Sequence, residues 1–140
     1  LLLELRPKSL TDIGLKQLFE QYLQPIQDRR KFELNLDIAD MAPLPPDVQI
    51  ALYRITQEAL NNISKHASAQ TVSVVVAHNN GIIEMEICDD GVGFDKDTLQ
   101  PSNLGLKIMR ERAAEINAKL SIDSKPTMGT RVNLAWRQDT

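Results

Sequence analysis

The chain has 140 residues, 42% of them hydrophobic and 25% charged, which suits one domain with its own core and excludes a disordered segment. Sixteen basic against nineteen acidic residues leave a net charge of −3, which argues against a duplex-binding surface. A single cysteine, Cys88, excludes an internal disulfide or a multi-cysteine zinc site, and two histidines, His66 and His78, are too few for a histidine-rich metal centre. No apolar run reaches the length of a membrane span and no signal peptide is visible, so a cytoplasmic domain is expected.

In chain order, Leu1-Leu2-Leu3-Glu4-Leu5-Arg6-Pro7 reads as the end of an apolar helix stopped by Pro7, in preference to a strap packed on the domain. Residues 1–8 are therefore expected to be a helix end and linker, and residues 9–140 the domain. Ser9 or Thr11 is predicted to cap a helix reaching about Asp28, with Leu15, Leu18, Phe19 and Leu23 on one stripe. Alternation of Phe32, Leu34, Leu36 and Ile38 with polar residues predicts a half-buried strand over 31–38. Pro43, Pro45 and Pro46 break the chain, and Pro46 or Asp47 opens a long helix through about His66. Strands are predicted over 71–77 and 82–88, joined by Asn79-Asn80-Gly81. A polar loop over 89–103 precedes a helix marked by Leu106, Met109, Ala113 and Ile116. Strands over 120–123 and 131–136 flank a turn at 126–130. Helices beside a largely antiparallel sheet predict an α+β sandwich of two layers.

Two patterns carry chemistry. On the long helix, Val48, Leu52, Ile55, Ala59 and Ile63 form an apolar stripe, and Glu58, Asn62 and Lys65 a polar seam along its edge. A carboxylate, an amide and an ammonium on one seam suit a magnesium–phosphate group, since Mg²⁺ takes hard oxygen ligands and keeps substrate phosphates in its shell. A solvated flank with a Glu–Lys pair would give the same spacing, and His66 alone reads as a cation near a helix C-terminus. In the strand over 82–88, Ile83, Met85 and Ile87 share a face, and period two puts Asp89 on it. A carboxylate there needs a partner. Gly91 and Gly93 follow at once, permitting close backbone approach to a ligand or simply an Asp-Gly turn. Gly105 is expected to open a helix whose free N–H groups can bind an anion, and the Gly129-Thr130 turn could bring a hydroxyl to a phosphate oxygen. Neither a GxxxxGK[ST] loop nor a dinucleotide fingerprint is present.

The ordered series QEALNNISKHA, DDGVGF, LGLKIMRERA and MGTRV resembles the four nucleotide-binding boxes of sensor histidine kinases, in the superfamily shared with gyrase and mismatch-repair ATPases. GLKIMRERA is similar to the nitrate/nitrite-sensor subfamily, and LLLELRP to the end of its dimerisation helices. The resemblance runs from the first residues to Trp136. It implies a Bergerat-type ATP-binding fold, a mixed, mostly antiparallel sheet covered by helices on one face. By position it assigns Asn62 as the Mg²⁺ ligand, Glu58 as its accompanying acid, and Lys65 and His66 as the pair bordering phosphates and ribose. Asp89 would accept a hydrogen bond from the adenine amino group. Gly91, Val92 and Gly93 would lie under the nucleotide, Gly105 and Leu106 at the phosphate-side helix start, Gly129 and Thr130 near the adenine-side water network or phosphates, and residues 95–103 would form the lid.

Neither histidine precedes an acidic residue, as the family's acceptor histidine does, because Ala67 follows His66 and Asn79 follows His78. The resemblance thus implies the ATP- and Mg²⁺-binding catalytic domain, which passes the γ-phosphoryl group to a histidine on a separate dimerisation domain and thence to a response regulator. The domain is expected to be monomeric by itself and homodimeric in the full protein, with no nucleic acid partner and no membrane insertion of its own. A nucleotide-binding regulatory module, or a gyrase-type hydrolase with Glu58 activating water, is the alternative.

Overall fold

The computed structural model describes residues 11–25, 32–66, 69–91, 102–124 and 129–138. Within them the order is α1 (Leu15–Tyr22), β1 (Glu33–Ile38), α2 (Pro46–His66), β2 (Thr71–Asn79), β3 (Ile82–Asp89), α3 (Ser102–Glu115), β4 (Lys119–Ser124) and β5 (Thr130–Arg137). The strands form one sheet in the order β1-β2-β3-β5-β4. β1 and β2 are parallel, because α2 carries the chain back across the sheet between them, and the other three pairings are antiparallel. The expected two-layer α+β sandwich is present.

Local chemistry accounts for the punctuation. Asn80 and Gly81 take φ of 52° and 77°, the pair of positive angles that a two-residue hairpin requires, and Asn79 pairs with Ile82 across it. Beyond the end of α3, Asn117 takes φ 59°, with Ala118 N–H donating to Ala113 O at 2.9 Å and Asn117 N–H to Ala114 O at 3.1 Å, a Schellman closure.

The core lies between the sheet and α2. Val48, Leu52, Ile55, Ala59 and Ile63 are buried, as the stripe predicts, against Val74, Ile83, Met85, Ile87 and Leu134. α3 adds Leu106, Met109 and Ala113, and α1 adds Leu15, Leu18 and Phe19. Gln49 is fully buried and bonded at both ends of its amide: its Nε2 donates to Ile13 O at 2.6 Å and its Oε1 accepts from Leu44 N–H at 3.1 Å, tying both preceding segments to α2.

Several boundaries differ from expectation. α1 begins at Leu15 after Gly14, with no side-chain cap, so Thr11 does not cap it, and Ser9 lies outside the described residues. It stops at Tyr22 with Leu23 as C-cap, because Pro25 lacks an N–H and disfavours helical backbone at Gln24. Residues 26–31, which include the predicted end at Asp28 and the first residue of the predicted strand, lie outside the description, as do residues 1–8. β2, β4 and β5 run one or two residues further than predicted, since pairing continues where alternation has already ceased. α3 starts at Ser102, three residues before Gly105, so residues 102 and 103 belong to a helix and not to the expected loop.

Candidate functional site

Polar groups converge in two places, one on the C-terminal half of α2 and one at the end of β3. At the first, α2 presents Glu58 and Asn62 one turn apart, as the seam predicts. The chain of α3 crosses them at Gly105. A Cβ at that position would lie 2.7 Å from Asn62 Nδ2, 2.9 Å from Asn62 Oδ1 and 2.9 Å from Glu58 Oε2. Glycine therefore permits α3 to lean on both polar side chains. Asn62 Nδ2 is buried without a hydrogen-bond partner among the described residues. Lys65 is exposed, and Glu58 forms no ion pair with it, so the Glu–Lys flank alternative is not what the structure contains. His66 closes α2. Leu106, one residue after Gly105, is 4% exposed and packs its side chain in the core. Gly105 lies inside the first turns of α3 and not at its opening.

The second place is the end of β3. Ile83, Met85 and Ile87 are buried and Asp89 follows them onto the same face. Its Oδ1 accepts the Gly91 N–H at 2.7 Å, while Oδ2 is buried with no hydrogen-bond partner among the described residues. Burial pushes the Asp89 carboxyl above its ordinary range; the Gly91 N–H, then the N–H and hydroxyl of Thr130, act against it, and the neighbouring charge of Asp90 adds to the rise. An orphaned, desolvated carboxylate oxygen is a site waiting for a donor.

Gly129 comes against Asp89 so closely that a Cβ would strike the Asp89 carbonyl, and its φ of 75° is one that glycine alone adopts readily. That approach sets Thr130 beside the carboxylate at the start of β5. Asp89, Ser124, Gly129, Thr130 and Arg131 line a cleft of about 270 Å³. A larger hollow of about 540 Å³ lies on the open face of the sheet, around Glu84, Glu86 and Asn133, and touches neither orphaned atom. Val92, Gly93 and residues 95–101 of the expected lid lie outside the described residues.

Two participants were not anticipated. Ser124, 8% exposed, closes the buried face of β4 after Ile122, and its Oγ lies 2.9 Å from Thr130 Oγ1 and 3.4 Å from Gly129 O. The signal that singled out Asp89, a polar residue ending an alternating apolar face, was present here too. Asp90 turns the other way, and its Oδ1 accepts N–H bonds from Gln70 at 2.9 Å and Thr71 at 3.0 Å. Those bonds hold its carboxyl below the usual range and fasten the end of β3 to the start of β2.

Residues 47–140 match the family described as "Histidine kinase-, DNA gyrase B-, and HSP90-like ATPase", and the chain belongs to that family. It is 34% identical to sensor histidine kinase LiaS of Bacillus subtilis (strain 168) over 96% of this chain and 37% of that protein. It is 36% identical to sensor protein VraS of Staphylococcus haemolyticus (strain JCSC1435) over 96% of this chain and 38% of that protein. The chain thus spans little more than a third of these relatives. The histidine kinase domain of the Erythrobacter litoralis EL346 blue-light activated kinase shares the fold, with a TM-score of 0.76 at 24% identity over 91% of this chain and 64% of that one. The nitrate/nitrite-sensor likeness finds no support among these relatives, because a helix motif as short as GLKIMRERA can be shared across subfamilies.

Proposed function

We propose that this chain is the catalytic, ATP-binding part of a sensor histidine kinase and that it donates the γ-phosphoryl group of Mg²⁺-bound ATP to a histidine outside it. The observation that carries this reading is the orphaned Asp89 Oδ2, an unpaired acceptor on the buried face that matches the exocyclic amino donor of adenine. In the second cluster, Glu58 and Asn62 bring hard oxygens to one spot, and Gly105 leaves room beside them. Two protein oxygens fit Mg²⁺, which completes its shell with water and phosphate; no cluster of three His, Cys, Asp or Glu side chains is needed, and none occurs among the described residues. Bound there, Mg²⁺ would neutralise phosphate charge. Asn62 would hold it, and Glu58 would stand beside it to accept a proton from the attacking group. Asp89, with Gly91, Gly129 and Thr130 around it, would fix the base. Lys65 and His66 would border the phosphates, so catalysis rests on positioning and charge neutralisation.

In this reading residues 1–8 end a dimerisation helix, residues 9–140 are the catalytic domain, the acceptor lies on a dimerisation domain, and the phosphoryl group passes on to a response regulator. No helix among the described residues is long and apolar enough to cross a membrane. A domain that uses ATP in this way would work on the cytoplasmic side, where ATP is supplied. Calorimetric titration with ATP and ADP, with and without Mg²⁺, tests the proposal: Mg²⁺ should tighten ATP more than ADP, and Asn62→Ala should remove that gain while sparing metal-free ADP binding. Steady release of phosphate without any acceptor would favour the hydrolase alternative, in which Glu58 activates water.

A further inference from the structure

On the outer side of the helix layer, α2 and α3 enclose a cleft of about 350 Å³ lined by Arg54, Gln57 and Glu58 of α2 and by Ile108 and Arg112 of α3. Both arginines are half-buried, and among the described residues neither meets a carboxylate within ion-pair distance. Arg54 is held in place by neutral groups instead. Its Nη1 donates to Gln57 Oε1 at 3.0 Å, Gln57 Nε2 donates to the Tyr53 hydroxyl at 3.0 Å, and the guanidinium lies 5.9 Å from the Tyr53 ring centroid. The remaining donors of its fork have no partner among the described residues. The cleft's own carboxylate, Glu58, lies within ion-pair distance of neither arginine, so two partly desolvated guanidiniums face the cleft with donors left for an incoming anion.

We propose that this cleft docks an acidic side chain of the polypeptide segment that presents the acceptor histidine, an inference that rests on the kinase reading above. Glu58 decides the occupant. Its carboxylate lines the cleft and also faces the Gly105 cradle, so a segment seated on Arg54 and Arg112 has one end next to the reacting phosphate. The same carboxylate repels a free phosphate dianion more than a single carboxylate held bidentately. Half-buried Ile108 supplies apolar contact that a small anion would not use but an amphipathic helix would.

The test uses the full protein carrying both this chain and the acceptor segment, in parental form and as Arg54→Glu, Arg112→Glu, Arg54→Lys and Arg112→Lys. Histidine phosphorylation from labelled Mg²⁺-ATP and the affinity for a fluorescent ATP analogue are measured for each, with thermal unfolding as the check on folding. Each Glu variant should phosphorylate at least about tenfold more slowly with analogue affinity within about twofold of the parent, and each Lys variant should keep most of the rate. Arg54→Gln and Arg112→Gln replace any Glu variant that fails to fold, with the same direction expected. Parental rates in the charge-reversed or neutral variants would overturn the docking role, and so would a parallel loss of analogue affinity, which would give the cleft to the nucleotide. A parent that binds no analogue at all would overturn the kinase reading itself, a distinguishable failure.

Discussion

Asp89 combines two demands that conflict in water-poor surroundings, to stay ionised and to lie on a buried face. Its Oδ1 is satisfied by Gly91, its Oδ2 by nothing in the described structure, and burial raises its pKa above the ordinary 3.8. A charge-assisted hydrogen bond from adenine would resolve the conflict and is worth roughly 1.5–3 kcal/mol. Asp89→Asn should therefore weaken adenine-nucleotide binding by at least about tenfold, since about 1.4 kcal/mol is a factor of ten, with the melting temperature unchanged or raised. Calorimetry beside a thermal melt checks both. The sign with pH follows. A raised acid pKa means that burial favours the protonated form: its contribution to stability is present at low pH and lost as pH rises through the folded pKa. Nucleotide affinity should run the opposite way, falling as acidification protonates Asp89, and titrations over a pH series should show that fall in the parent and not in Asp89→Asn.

At the scale of elements, the meeting of α2 and α3 depends on one missing side chain. Gly105→Ala would set a Cβ 2.7 Å from Asn62 Nδ2 and 2.9 Å from Glu58 Oε2, so one of the two must move. Overpacking of this kind typically costs about 1–3 kcal/mol. The variant should melt lower and lose the Mg²⁺-dependent gain in ATP affinity, while metal-free ADP, read at the other cluster, should bind nearly as before. Parental Mg²⁺-ATP affinity in a folded Gly105→Ala would show that the cradle does not hold the metal. α3 is closed at its far end by Asn117 in the left-handed region. Asn117→Gly should be neutral or slightly stabilising, and Asn117→Val should cost on the order of 1 kcal/mol, because a β-branched residue is strained at φ 59°. Chemical denaturation of the two variants reads the difference.

For the whole molecule, what matters is where the histidines stand. His78 is exposed on β2 next to the hairpin, away from both polar clusters, and His66 is the last residue of α2. In-line transfer needs an acceptor nitrogen delivered to the γ-phosphate. Incubated alone with labelled ATP and Mg²⁺, the chain should form no acid-labile phosphohistidine. Acceptor helices supplied as a separate polypeptide should become labelled slowly, because detachment forfeits the effective concentration that a covalent link provides. Strong labelling of His66 or His78 would place the acceptor within this chain.

Whatever local periodicity encodes is legible along the chain. Period two turned Asp89 inward beneath Ile87, the helical stripe from Val48 to Ile63 set Glu58 and Asn62 on one edge, and Asn80-Gly81 and Pro46 placed a hairpin and a helix start. Those features depend only on residues a few positions apart. The tertiary structure alone decided which distant residues meet them. Inserting β5 between β3 and β4 brings Gly129 and Thr130 against Asp89, and Ser124 with them, across some forty residues of chain. Seating α3 on α2 gives Gly105 its purpose and leaves Arg54 and Arg112 facing one cleft. Such contacts follow from burying complementary apolar faces against one another, and that condition is satisfied by the whole sheet and its helices together, not by any window of sequence.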